Sequence, residues 1–360
     1  MLKFIIRRLA YGILVMLGVI TVVFLLFNVL PGDPARMMLG QRADISSVAA
    51  INKDLGRDKP LTSQYFNFLN DLSPLSFHNE FDSKSYWYLD TTKYSSAIRL
   101  LKFTGGEVIV LKKPYLRRSY QSKREVSSII SQAFPATCIL AIVAMTFAIL
   151  IGVFIGVLSA LYQNSFFDRV SLVLSVFGMS LPSFFAAVLI AWIFAFILGD
   201  LTNLNMVGSL YTVDDFGRGE FLSLKNIILP AITLGMRPLA IIVELTRSSM
   251  LDVLSQDYIR TAKAKGLSTT RIVTHHALRN ALNPVVTAIS GWLASMLAGV
   301  VFVEFVFDWK GLGVVIVEAL EKYDLPVVMG SVLFVSVLLV FINIFVDIVY
   351  GWLDPRVRVA

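Results

Sequence analysis

Cysteine and histidine are nearly absent: Cys138 is the single thiol, and His78, His275 and His276 are the only imidazoles in 360 residues. One thiol excludes an internal disulfide framework and any cysteine-only metal site. Adjacent histidines on a helix point about 100° apart, so His275-His276 do not face one ion unaided, and neither a metal nor a cofactor is expected. No Gly-Lys pair occurs, which excludes the G-x-x-x-x-G-K-[ST] phosphate cradle. Nucleophile–base pairs and paired carboxylates with supporting context are missing too, so catalysis is unsupported. Charge is scarce: Asp, Glu, Lys and Arg make up 16% of the chain, against about 25% in a typical soluble domain.

What fills the chain is apolar. Such residues reach 56% and mean hydropathy is +0.72, more than one soluble globule can hide, so the excess must face lipid. The expectation is an all-α polytopic membrane protein. A hydrocarbon core roughly 30 Å thick needs about 20 apolar residues as helix. Six stretches qualify: Leu9–Leu30, Thr137–Leu161, Leu172–Leu198, Ile227–Leu245, Val285–Phe305 and Val327–Tyr350. They are continuous runs, unlike the short alternating strands of a β-barrel. The first run is longer than a signal-peptide core and lacks a small-residue cleavage site, which reads as an uncleaved anchor.

Basic residues in short flanks set orientation. Lys3, Arg7 and Arg8 precede the first run, and Arg356 and Arg358 follow the last. Arg247, Arg260, Lys263, Lys265, Arg271 and Arg279 lie between the fourth and fifth. With six spans all three places share the cytoplasmic side, so both termini are cytoplasmic. The segment 31–134 is basic too, fifteen Lys/Arg against ten Asp/Glu. It is too long for the flank rule, and the even span count puts it outside. The net charge of +7 therefore reflects topology plus this outer segment and is not a nucleic-acid signal.

Within the outer segment, helix-like stretches fall at Ile45–Leu55 and Leu61–Leu69. Ala97–Phe103 and Glu107–Leu111 are β-prone and separated by Thr104-Gly105-Gly106, which predicts a hairpin. Tyr86-Trp87-Tyr88 reads as core for a small subdomain, with a ligand site or a membrane-interface belt as alternatives. The expected organisation is a first span over 1–30, an outer loop over 31–134 and a membrane core over 135–360 containing a cytoplasmic loop at 251–283.

That loop has its own pattern. Tyr258–Lys265 is helix-prone, Gly266 breaks it, and Ser268 can cap a second helix running through Ala281. Ile259, Ala262, Leu267, Ile272 and Leu278 supply apolar contacts at near-helical spacing. The small Ala262 and Ala264 leave room for close approach. A short helix–turn–helix at the membrane face fits docking into a cleft on another protein, or resting on anionic headgroups.

Tyr258-Ile259-Arg260-Thr261-Ala262-Lys263-Ala264-Lys265-Gly266, with His276-Ala277-Leu278-Arg279-Asn280-Ala281-Leu282-Asn283-Pro284 behind it, resembles the cytoplasmic loop of ABC-importer permeases. The closest resemblance is to the dipeptide, oligopeptide and nickel subgroup. The wider family's Glu-Ala-Ala triplet is Arg260-Thr261-Ala262 here, and its Leu-Pro ending is Leu278-Arg279, departures usual in that subgroup. Further matches follow in order: Leu30-Pro31-Gly32-Asp33-Pro34; Lys59-Pro60-Leu61-Thr62 with Gln64-Tyr65; Phe134-Pro135-Ala136-Thr137; Ser180-Leu181-Pro182-Ser183-Phe184-Phe185; Leu229-Pro230-Ala231-Ile232-Thr233-Leu234; and Leu353-Asp354-Pro355-Arg356. Only about Ser73–Tyr120 stays outside them and reads as an insertion.

The resemblance implies a type I ABC-importer permease fold in a bacterial inner membrane. It also implies a second homologous permease, giving a heterodimer, two ABC ATPase subunits and an extracytoplasmic substrate-binding protein, with no nucleic acid. Its loop residues Asp257, Tyr258, Arg260, Thr261, Ala262, Ala264, Gly266, Leu278 and Asn280 would couple to the ATPase. Peptides or similar small solutes would then cross by alternating access. Nickel cargo, or a self-contained secondary transporter, are the competing readings; the latter would show an inverted repeat, and none is apparent.

Inside the runs, Arg237 and Glu244 fall on nearly one face of the fourth. Either they line the pathway and contact charged peptide termini, or Glu244 pairs with Arg237 or Arg247. Glu304 and Asp347 sit near span ends, where they are expected to reach water. Pro182, Pro230 and Pro238 are expected to kink or end helices, and Gly152 and Gly156 form a G-x-x-x-G packing face.

Overall fold

The computed structural model describes residues 2–29, 59–82, 85, 87–90, 93–94, 97–213 and 219–353. Leu30–Pro34, the stretch Ile45–Leu55, Tyr86 and Asp354-Pro355-Arg356 lie outside the described residues. Two compact units are present, one of Ile6–Gln132 with Val315–Val340, the other built mainly of Ala133–Val314.

The first unit starts with α1 (Leu2–Val29) and α2 (Leu61–Leu72). Val23 and Phe24 of α1 pack on Phe68, Met329 and Leu333. Tyr65 sets its ring edge-on to Phe24 at 5.1 Å and shares a 2.6 Å hydrogen bond with the Thr21 hydroxyl. Three strands follow: β1 (Leu75–Asn79), β2 (Ile98–Lys102) and β3 (Glu107–Leu111), ordered β1-β3-β2 and antiparallel throughout. The predicted hairpin is β2–β3. Gly105 and Gly106 take φ of 123° and 88° at its turn, values that glycine adopts without a Cβ penalty. β1 was not foreseen because its alternation is inverted, with Ser76 and His78 buried and Leu75 and Phe77 exposed.

The polar residues beneath this sheet are tied together. Tyr94 donates to the Asp71 carboxylate, and Lys112 Nζ donates to the Asp71 carbonyl at 2.6 Å. His78 Nε2 meets Ser76 Oγ at 3.0 Å. Around them lie Leu89, Val108 and Val110. Trp87 and Tyr88 are not part of that core: they are 48% and 39% exposed, and Trp87 Nε1 instead reaches Asn67 Oδ1 at 2.8 Å. Tyr94 takes the central place the Tyr86-Trp87-Tyr88 cluster was expected to hold.

In the second unit the long helices dominate. α3 (Val126–Leu161) begins in the first unit and runs through Pro135. α4 (Phe166–Ser180) and α5 (Ser183–Ile190) follow, the latter continued by a wider π turn over Ala191–Ile197. A small ribbon, β4 (Tyr211–Val213) with β5 (Glu220–Leu222), precedes α6 (Ile228–Leu254). Next come α7 (Asp257–Ala264), α8 (Leu278–Phe307), α9 (Leu312–Glu321) and α10 (Leu325–Leu353).

The third expected run, Leu172–Leu198, is bent at Pro182. α4 and α5 meet at 115° across Leu181-Pro182 instead of forming one straight run. Leu181 is extended, at φ −70° and ψ 130°, as a residue preceding proline prefers. Pro182 thus ends a helix as expected, whereas Pro238 sits inside the continuous α6. Pro230 occupies the first turn of that helix, where its missing N–H leaves no bond unmade. Among the described residues four helices are long and apolar enough to cross a bilayer, or five if the bent pair counts as one span. The fifth expected run falls within α8, a helix of 30 residues.

α6 packs most extensively on α8 and on α4. It also lies against α3 at Gly152 and Gly156. A Cβ at Gly156 would come within 2.6 Å of Thr246 Cβ and 2.8 Å of the Val243 carbonyl. The G-x-x-x-G pair is therefore the seat of α6.

Two outcomes follow from this packing. Gly156→Val should destabilise the membrane unit by roughly 1–3 kcal/mol, read as a lower thermal midpoint in detergent, whereas Gly18→Val, with open space around it, should not. In the β1–β3–β2 sheet, burial is the largest influence on Lys112 and pushes its ammonium down to about 8, against the pull of Asp71. The unfolded chain therefore holds more protons between pH 8 and 10.5, and sheet stability should rise with pH across that window by on the order of 3 kcal/mol. Hydrogen-exchange protection of β1 and β3 amides measures it, and Lys112→Met should flatten the slope.

Candidate coupling surface and pathway cavity

The loop 251–283 is built on an apolar cluster. Ile259 and Ala262 of α7 are buried with Met250, Ile272, Val273, Ala277, Ala281 and Ala160. Gly266, at φ 76°, ends the helix: its N–H donates to the Lys263 carbonyl at 3.0 Å, and Leu267 N–H donates to the Ala262 carbonyl at 3.3 Å. These are the two bonds of a Schellman cap, and Leu267 joins the apolar cluster under it. The sequence asked for a break at this glycine, and the left-handed backbone is the reason.

The outward face carries most of the remaining expected residues. Asp257, Tyr258, Arg260, Thr261 and Ala264 are exposed. Arg260 Nη1 lies 3.4 Å from Asp257 Oδ1, a loose surface pair with the two side chains 77% and 95% exposed. Thr261 Oγ1 donates to the Asp257 carbonyl at 3.0 Å. Asn280 Nδ2 donates to the Tyr258 hydroxyl at 2.9 Å, which links α7 to the start of α8. Leu278 is half-buried in the cluster's rim. Ala262 is turned inward, so of the two small residues only Ala264 offers close approach to another surface.

The second expected helix does not stop at Ala281. From Ser268 a short turn over Thr269–Arg271 opens into a π-helical stretch, Ile272–Ala277, and α8 then continues through Pro284 to Phe307. Ser268 stands at the start without bonding through its side chain. The loop and α8 are thus one continuous helical run, a connection the expected loop boundary hid.

Arg237 and Glu244 are placed differently from each other. Arg237 lines a cavity of about 60 Å³ between α4–α5, α6 and α8, and its buried Nε has no partner among the described residues. Glu244 is exposed on the outside of α6. The pairing of Glu244 with Arg247 is overturned. Arg247 Nε and Nη2 instead hold Asp168 Oδ1 and Oδ2 at 2.5 and 2.8 Å, with the Asp168 side chain 2% exposed. Asp168 also accepts from Asn164 N–H at 2.9 Å, and its own N–H donates to Ser165 Oγ at 3.2 Å. Sequence reasoning missed this pair, although Ser165-x-x-Asp168 before an apolar run is a capping-box signature.

Glu304 is a second correction. It does not reach water: the residue is fully buried. The chain turns back at Asp308, at φ 51°, and Gly313 N–H donates to Glu304 Oε2 at 2.6 Å. Neither Gly311 nor Gly313 has room for a Cβ beside that carboxylate. Trp309 Nε1 donates to the Ala136 carbonyl at 3.0 Å, and Leu312 N–H to Thr137 Oγ1 at 2.8 Å. This corner pins the start of α9 to α3. The spaced glycines at 311 and 313 were the readable sign of it.

The family profile described as "Binding-protein-dependent transport system inner membrane component" matches residues 152–359, and its N-terminal counterpart matches residues 1–80. The chain is 36% identical over 371 residues to the dipeptide transport system permease protein DppB of Alkalihalophilus pseudofirmus, covering 99% of this chain and 100% of that one. It is 35% identical over 373 residues to the di/tripeptide transport system permease protein DppB of Pseudomonas aeruginosa, covering 99% of both. It is 34% identical over 358 residues to the glutathione transport system permease protein GsiC of Pectobacterium atrosepticum, again covering 99% of both. A solved structure of the MetNI methionine ABC transporter in inward-facing conformations matches with a TM-score of 0.50 at 17% identity, covering 63% of this chain and 97% of that one. That likeness concerns the fold.

The Asp168–Arg247 pair should be worth most when broken on one side. Asp168→Ala strands a guanidinium and should cost about 3–5 kcal/mol. The double change with Arg247→Met should recover much of that loss, as measured by thermal unfolding of the purified protein.

Proposed function

Because the chain belongs to the family of binding-protein-dependent transport system inner membrane components, we propose that it is the permease subunit that carries di- or oligopeptides inward in an ATP-driven importer. Relatives named for dipeptides, di/tripeptides and glutathione support that cargo class. The family disfavours a self-contained secondary transporter. It is a multi-pass membrane protein and a transport subunit; hydrolysis of ATP falls to two partner ATPases. A second, homologous permease completes the pore, and an extracytoplasmic binding protein delivers cargo.

Six spans fit this role. α8, at 30 residues, is about 45 Å long, enough to cross a core of roughly 30 Å. Six spans put both termini and the loop 251–283 in the cytoplasm and residues 31–134 outside. The β1–β3 sheet then forms the body of an outer insertion over about 73–120. The N-terminal family profile runs to residue 80, through β1, and the second begins at residue 152, so β2 and β3 lie in the unmatched stretch.

One observation carries the coupling assignment. α7 is fixed from within by Ile259 and Ala262 while Asp257, Tyr258, Arg260, Thr261 and Ala264 stay exposed. A short helix gripped from one side and bare on the other suits a groove on the ATPase. Gly266 sets its end, and Asn280 with Leu278 ties it to α8, so a push on α7 reaches a membrane helix. Glu244 supports the pathway: an exposed carboxylate on a spanning helix is costly against lipid and is at home beside water or a second subunit.

The coupling role is tested on the assembled importer. Ala264→Trp should abolish recovery of the ATPase with the purified permease and reduce ATP-dependent uptake at least tenfold, with the thermal midpoint unchanged. Ala262→Trp should lower the midpoint, since that side chain faces inward. Full uptake with a retained ATPase in the Ala264→Trp protein removes the assignment.

A further inference from the structure

The cavity at the α4–α5 bend is built for one charge. Leu181 and Ser183 supply its wall on the broken span, Met236 and Arg237 on α6, Trp292 and Ser295 on α8. Among the described residues lining it, Arg237 alone is charged and none is a carboxylate. Its Nε is buried with no partner among the described residues. Glu244, two turns further along α6, is exposed outside the cavity, and Arg247 is already committed to Asp168. A buried donor on a guanidinium without an acceptor is costly, and an incoming anion recovers that cost.

Shape and size narrow the anion. A guanidinium presents a planar fork that matches a carboxylate through two parallel bonds. About 60 Å³, where one water needs roughly 10–15 Å³, is room for several waters and enough for a carboxylate. The hydroxyls of Ser183 and Ser295 can donate to it, while Trp292 and Met236 close the remainder with apolar surface. α5 begins at the same wall with no side chain capping its first turn, so the backbone there adds the same polarity.

We propose that Arg237 and this cavity form a carboxylate subsite that takes the C-terminal carboxylate of the cargo and selects free acids over their amides. The proposal rests on the peptide-import reading above. Arg237 is the specificity-determining group, and Glu244 lies outside the subsite.

The test uses the complete importer in proteoliposomes with one binding protein throughout. Initial ATP-dependent uptake is compared for a dipeptide and for the same dipeptide as its C-terminal amide. The ratio of the two rates, measured on one preparation, is insensitive to how much complex is active. In the unaltered protein the acid should be preferred. Arg237→Gln should lower the acid-to-amide ratio roughly tenfold, and Arg237→Lys, which keeps the charge without the fork, should fall between. An unchanged ratio in both variants overturns the subsite and leaves the peptide reading standing. An unaltered importer that moves neither cargo overturns the peptide reading and the subsite with it.

Discussion

Hydrocarbon offers the backbone no hydrogen-bond partner, so a spanning chain can break only where protein or a polar cavity receives the freed groups. Leu181-Pro182 breaks the apolar helical run of α4 and α5. Leu181 N–H still donates to the Phe177 carbonyl at 3.1 Å, and Ala186 N–H to the Pro182 carbonyl at 3.0 Å. Pro182 has no N–H to strand. What remains at the bend opens beside the Arg237 cavity and the flanking α6 and α8. The cavity, the bend and the half-buried Arg237 therefore belong to one arrangement, and α6 is seated tightly on Gly152 and Gly156.

Charge is used sparingly and for position. Asp168 and Arg247 join α4 to α6 through two hydrogen bonds, and Ser165 Oγ caps the same end of α4 by accepting from Asp168 N–H. Glu304 holds the returning chain at Gly313, where Trp309 and Leu312 bond back to α3. Removing one partner of such groups costs more than replacing both, so each fixes helix placement more than it adds net stability. Among the described residues, Arg237 Nε and the exposed Glu244 have no such partner.

Much of this was legible in the sequence. The long apolar runs forecast helices because period and length leave no other form in lipid. Thr104-Gly105-Gly106 forecast the β2–β3 turn because only glycine takes those φ values readily. Gly266 forecast the end of α7 for the same reason. What stayed hidden depended on contacts between distant residues. β1 reverses the usual alternation because Ser76 and His78 face a polar core. Trp87 and Tyr88 gave way to Tyr94, whose hydroxyl finds Asp71. Ala262 and Ala264 look alike in sequence, and only the fold of the loop sends one inward and the other outward. Glu304 looked solvated because a span end is usually wet; the turn at Asp308 buried it.

Import driven by ATP on partner subunits is the central claim, and transport by purified components tests it most directly. The complex recovered with this permease, reconstituted in proteoliposomes with its binding protein, should accumulate a labelled dipeptide only when ATP is hydrolysed and the binding protein is present. Accumulation by this chain alone, driven by a proton or sodium gradient without ATP, would contradict it.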